Sequence, residues 1–304
     1  MNKFIVNYQL RYISPKQLTI LFFLFLILII SVILSIKYGA LKIDILEIIT
    51  DNKTTLNEVV FLEVRLPRVF LSCFVGASLG LSGASLQGLF RNPLADPGLI
   101  GVSAGAALGA TFSIVIGSSF VLDSYFGKYL IPISAVIGSI SIIMLLYVST
   151  KGFSQQGISY MLLIGIAVNA FASVGIAVLT FISSDLELRN LSFWLMGSFG
   201  GSEWVTILPG IMIITLSIAW MINSSRELDI LQLGESEASR LGIDVKKIKF
   251  KVILSSAITV GISVSLSGMI SFVGLVIPHI VRLLGGVNHS YLLIGSALSG
   301  AALM

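Results

Sequence analysis

The chain has 304 residues, 56% of them hydrophobic and 11% charged, with a mean hydropathy of +1.00 and a formal net charge of +4. Soluble domains carry about 25% charged residues, so this composition excludes a soluble globular protein. The single cysteine, Cys73, excludes an intrachain disulfide and reads as a small buried residue.

Charge-free runs cover 17–36, 69–90, 97–122, 129–150, 152–184, 204–225 and 252–281. Each is long enough for a helix of about 20 residues to cross hydrocarbon. None alternates as a transmembrane strand would. The fold class is therefore all-α, a polytopic bundle of transmembrane helices in a single domain over 1–304. The first run follows Lys3, Arg11 and Lys16. It is too long for a signal-peptide core and lacks a small-residue cleavage site, so it is a retained first helix. The expected helices lie near 19–37, 66–90, 97–119, 129–150, 157–183, 203–223, 249–266 and 270–284. The last two are separated at Ser267-Gly268, and a ninth begins at Tyr291. The run from Tyr291 to Met304 is only 14 residues long. The remainder of helix nine and a tenth helix are expected beyond Met304.

Basic residues collect on the cytoplasmic side of membrane proteins. With the N-terminus inside, twelve of the 19 Lys and Arg fall on inner segments, the largest cluster being in 226–251. The outer loop 39–64 leans acidic, with Asp44, Glu47, Asp51, Glu58 and Glu63.

Small residues recur at spacing four: Gly76, Gly80, Ala84 and Gly88, then Gly101, Gly105 and Gly109. In lipid such faces let helix backbones approach closely. The polar knot Arg91-Asn92-Pro93-Leu94-Ala95-Asp96-Pro97 reads as a sharp reversal. Pro93 ends one helix, and Asp96 caps the next with Pro97 at its first position.

The one long polar stretch is 224–251, with eleven charged residues. Within it, Gly234 to Gly242 reads as a short helix closed by glycine. Pro278, His279 and Arg282 sit near the inner end of helix eight, where His279 reads as a structural residue. His279 and His289 alone do not make a metal site.

The sequence holds no G-x-x-x-x-G-K-[ST] loop to grip a nucleotide. It also lacks a line of intramembrane acids or histidines to relay protons. A secondary transporter would need intramembrane charges or matched broken helices, and neither is read here. One histidine and one distant cysteine do not form an intramembrane catalytic cluster. Energy for uphill transport must come from another subunit.

The chain resembles the permease subunits of bacterial ATP-binding-cassette importers for iron chelates, haem and cobalamin. The motifs run through nearly the whole chain: Arg65-Leu66-Pro67-Arg68, Gly83-Ala84-x-x-Gln87, the knot with Asn92, Pro93, Asp96 and Pro97, and Gly101-Val102-Ser103-Ala104-Gly105-Ala106. Then come Trp194-Leu195-Met196-Gly197-Ser198, Gly234-Glu235-x-x-Ala238-x-x-Leu241-Gly242, and Phe272-Val273-Gly274-Leu275-Val276-Ile277-Pro278-His279-Ile280-x-Arg282.

The resemblance implies a ten-helix type II importer permease, here cut within helix nine, in the bacterial cytoplasmic (inner) membrane. It implies a second permease copy, most simply as a homodimer, two ATPase subunits that use ATP and Mg, and a periplasmic or lipid-anchored substrate-binding protein. No cofactor on this chain and no nucleic-acid partner are implied. By the same resemblance Arg65 and Arg68 dock the binding protein, and Gly234, Glu235, Ala238, Leu241 and Gly242 couple to the ATPase. Helix five, with Asn169 and Ser173 on one face, lines the pathway. The implied cargo is a ferric siderophore or haem, with cobalamin or another metal chelate as the alternative.

Overall fold

The computed structural model of the chain describes residues 13–39, 56–117, 127–150 and 157–304. Lys3, Arg11, Asp44, Glu47 and Asp51, used above to orient the chain, lie outside the described residues. Among the described residues there is no strand, and six helices are long and apolar enough to cross a membrane.

Helix α1 (Pro15–Lys37) starts at a capping box in which Ser14 and Gln17 exchange hydrogen bonds, with Pro15 at the first position. Only Leu21 of its residues is buried. An all-round apolar helix exposed on nearly every face belongs against lipid. Its foot is tied inward where the Gln17 amide donates to the Gly285 carbonyl at 2.8 Å.

Helix α2 (Leu66–Phe90) is the opposite case: nearly all of its residues are buried. It runs on from a helical turn, Leu56–Val59, and a π-helical turn, Val60–Arg65, so the expected start at residue 66 falls ten residues late. The chain then turns at the knot into a 3-10 turn, Pro97–Ile100. Helix α3 (Val102–Phe112) follows, ending in a π-helical turn, Ser113–Gly117.

The expected single span 97–119 is therefore interrupted at Gly101, whose φ of 86° suits glycine. This also corrects the expectation of unbroken helices. After α3 come α4 (Gly127–Ser149), α5 (Gly157–Ile182), α6 (Asp185–Met196) and α7 (Trp204–Ile222). The short α8 (Ser225–Leu231) and α9 (Glu235–Arg240) lead to α10 (Val245–Ser267), α11 (Val273–Gly285) and α12 (His289–Leu303).

The small-residue faces explain how α2 comes to be buried. A Cβ on Gly76 would strike the Gly300 carbonyl of α12, one on Gly80 the Ser296 carbonyl, and one on Gly83 the Gly274 carbonyl of α11. Gly105 and Gly109 meet Gly138 and Ser134 of α4 in the same way. Hydroxyl pairs join α2 to α10: Ser78 with Ser263 at 2.5 Å and Ser82 with Thr259 at 2.8 Å. Close packing and polar pairs of this kind hold helices together where lipid supplies no hydrophobic drive. Cys73 is half-buried and unpaired to another cysteine.

Gly83→Val should therefore cost about 3 kcal/mol or more, because backbone, not a movable side chain, occupies the space. The measurement is thermal unfolding of the purified permease in detergent. A melting temperature equal to that of the parent protein would show that α2 and α11 do not approach this closely.

Candidate coupling and translocation site

The polar segment folds as two short helices, α8 and α9, folded across the end of the bundle. Gly234, with φ of 111°, admits the chain to α9, and Gly242, with φ of 85°, lets it leave. Both are positions where an L side chain is strained. Ala238 is fully buried beneath the short helix, whereas Leu241 is 61% exposed at its end. Glu237 and Arg240 pair at 3.0 Å on the outer face. The Lys247 N–H donates to Asp244 at 3.1 Å, which starts α10 and holds that carboxyl below the usual carboxylate range.

Three connections fasten this segment to the membrane helices. Lys249 of α10, fully buried, pairs with Glu235 of α9 at 2.8 Å. The Gln232 amide donates to the Gly88 carbonyl of α2 at 2.8 Å. Asp229 of α8 accepts the His289 backbone N–H at 2.9 Å and lies 2.6 Å from its ring Nδ1, at the start of α12. The His289 ring packs against Gly88, where a Cβ would collide with its Nε2. A push on α8–α9 thus reaches α2, α10 and α12 directly.

The knot lies beside these connections. Arg91 adopts a left-handed conformation as the C-cap of α2. The Asn92 side chain accepts the Leu94 N–H at 3.0 Å, and Asp96 accepts the Gly98 N–H at 2.7 Å. Gln87 bridges onward: its amide donates to the Gly274 carbonyl at 3.3 Å, and its oxygen accepts Arg282 Nη2 at 2.9 Å. Pro97 packs on Gly274, and Pro278 is buried inside α11.

His279 faces outward on α11 and its ring makes no hydrogen bond among the described residues, so it is not the bonded structural histidine expected from sequence. That role belongs to His289.

On α5, Gly165 closes on the Leu99 carbonyl, and the Asn169 amide donates to the Gly98 carbonyl at 3.1 Å. Ser173 is exposed, its hydroxyl turned back to the Asn169 carbonyl at 2.9 Å. Asn169 therefore secures α5 to the break before α3. The other side of α5 is bare, with Leu163, Phe171, Val174 and Phe181 all exposed.

At the opposite end of the bundle, Arg65 and Arg68 part company. Arg65 is buried, and its Nη1 donates to the Ile36 carbonyl at 2.6 Å and the Lys37 carbonyl at 3.3 Å, closing the end of α1. Arg68 is exposed.

Sequence reasoning missed Lys249, Gln232, Asp229 and His289. Asn288 as a cap, which accepts the Ser290 and Tyr291 N–H groups, was a legible signal for helix onset two residues before Tyr291. It also missed α6, although Ser184 and Glu187 spell its capping box.

Membrane-length helices packed on small residues, with a short helical segment fastened across one end, define a multi-pass helical membrane protein. The chain belongs to the FecCD transport family, whose family model matches residues 27–304. This is a family of importer permeases of the inner membrane, not of enzymes.

The chain is 39% identical over 282 residues to the hemin transport system permease protein HmuU of Yersinia pestis, covering 93% of this chain and 84% of that one. It is 37% identical over 242 residues to the vitamin B12 import system permease protein BtuC of Vibrio vulnificus, covering 80% and 71%. A solved structure described as an inward-facing conformation of a putative metal-chelate type ABC transporter superposes with a TM-score of 0.83 at 35% identity, covering 94% of this chain and 87% of that one.

Proposed function

We propose that this chain is the membrane subunit of an ATP-driven importer for an iron chelate, haem or a ferric siderophore, with cobalamin the second reading. The observation that carries it is the α8–α9 element. Its surface presents Leu241 and the Glu237–Arg240 pair, while its base is fixed to α2, α10 and α12. A partner ATPase docked there shifts these helices as a unit, and the bundle alternates between inward- and outward-open states by rigid-body motion. ATP and Mg are used by that partner. The N-terminus lies in the cytoplasm, on the side of the basic 226–251 segment.

The bare face of α5 fits a second copy of this permease, with Asn169 and Ser173 beside the pathway between the two. The haem reading is supported by the hemin permease, at 39% identity over 93% of this chain against 37% over 80% for the vitamin B12 permease.

The binding protein docks at the opposite end, on Arg68, with Arg65 shaping that surface by closing α1. The test is ATP hydrolysis by the reconstituted full-length permease and its ATPase, with binding protein loaded with haem, a ferric siderophore or cobalamin. One loaded form should stimulate hydrolysis. Arg68→Glu should remove the stimulation and keep the melting temperature, whereas Arg65→Glu should lower the melting temperature because buried backbone carbonyls lose their donor. Stimulation that survives Arg68→Glu would overturn the docking assignment.

A further inference from the structure

A groove of about 680 Å³ opens on the side of the bundle between α4, α7 and α10. It belongs to none of the surfaces assigned above. Its walls are Ile140, Met144, Ile213, Leu254 and Ile258, and its floor is made of small residues, Ala257 and Gly261 among them. The floor is low because α10 approaches α4 there: a Cβ on Gly261 would press on the Ser139 side chain.

From Phe250 to Ile262 the groove follows about 18 Å of helix. That is close to half of the roughly 30 Å hydrocarbon core. The groove is therefore as long as one leaflet is deep.

Its lower end is marked by the groups that sit at a membrane interface. Tyr147 and Phe250 meet edge to face at 6.0 Å, and the Lys251 ammonium lies 6.0 Å from the Trp220 ring. Aromatic rings and lysines of this kind gather at headgroup level. Lys247 and Lys251 continue the same stripe of α10 that carries Leu254 and Ile258, at spacings of four, three and four. Lys247 reaches Asp244 at 3.5 Å but is 86% exposed; Lys251 makes no direct ion pair among the described residues, and the nearby carboxylate that acts on it is Glu227.

An apolar slot one leaflet deep, floored by small residues and ending at aromatic rings and two lysines, Lys247 exposed and Lys251 partly buried, matches a chain with an anionic head. We infer that this groove is a binding site for an anionic phospholipid, one acyl chain lying on Ala257 and Gly261 and the headgroup phosphate held at Lys251 and Lys247.

The bound lipid would stiffen the α4–α10 contact and the base of α10, which carries Lys249. The site thus makes transport sensitive to the anionic lipid content of the membrane.

The test uses the full-length permease with its ATPase, purified in mild detergent. The complex is incubated with mixed vesicles of phosphatidylglycerol and phosphatidylcholine, and retained lipid is read by native mass spectrometry. Phosphatidylglycerol should be retained in preference to phosphatidylcholine. Lys251→Gln should keep a bound lipid and lower that preference about fivefold, the worth of one cation near an anionic surface. Ile258→Trp should fill the slot and abolish retention of both lipids, while Ile30→Trp on the lipid face of α1 should leave retention unchanged. If Ile258→Trp does not assemble, Met144→Trp on the facing wall makes the same test. Retention unchanged by the slot-filling variant, or equal retention of the two lipids by the parent protein, would overturn the assignment.

Discussion

Leu241→Asp should lower binding-protein-stimulated ATP hydrolysis at least tenfold, about the loss expected when a desolvated contact at an interface centre is replaced by a buried charge. Leu241 is 61% exposed at the end of α9, so the permease itself should unfold within about 0.5 kcal/mol of the parent protein. The two readouts together separate coupling from folding. If hydrolysis and uptake remain tightly linked in Leu241→Asp, the ATPase docks elsewhere.

Lys249→Met should have the largest effect on stability. It leaves Glu235 in a site where that side chain is only 15% exposed and has lost its partner. Removing one member of a buried pair costs about 3–5 kcal/mol, whereas replacing both by neutral groups of similar volume is often nearly free. The double variant Glu235→Gln with Lys249→Met should recover most of the loss, and the coupling energy of the cycle is the quantity to measure. Additive losses would mean that the pair contributes nothing jointly.

The pair also sets apart two residues of the same motif. Glu235 faces inward and holds α9 on α10, whereas Leu241 faces outward. Replacing Glu235 therefore perturbs folding as well as coupling, and Leu241 is the clean probe.

Much of the architecture was legible because membrane helices obey a strong rule: each backbone must satisfy itself across a fixed thickness. The spans of α4, α5 and α7 follow from apolar length alone. The glycine faces of α2 and α3 were readable as close-packing faces, and the knot as a reversal. What length could not show is where a helix is interrupted. The break at Gly101 depends on a tertiary contact, the Gly98 and Leu99 carbonyls held by Asn169 and the close approach of Gly165. The helical turns over 56–65 that lead into α2 include a π-helical stretch with no distinct sequence mark.

At the candidate site, glycines with positive φ at 234 and 242 were read correctly as the limits of a short helix. The buried partners were not, because Lys249 sits among Lys246, Lys247 and Lys251 in a run that reads as uniformly solvated. Only the fold turns one of the four inward onto Glu235. In the same way two histidines were visible, and the helix-end position of His279 drew the structural role that belongs to His289. Arg65 and Arg68 look alike in sequence, and the end of α1 decides which of them is free to meet a partner.

The most direct test of an ATP-driven importer is accumulation. Proteoliposomes holding the full-length permease and its ATPase, with ATP and Mg on the ATPase side and loaded binding protein on the other, should concentrate labelled haem or ferric siderophore above its external level. Leu241→Asp should stop that accumulation. Equilibration without accumulation, or uptake that proceeds equally well without ATP, would contradict the account.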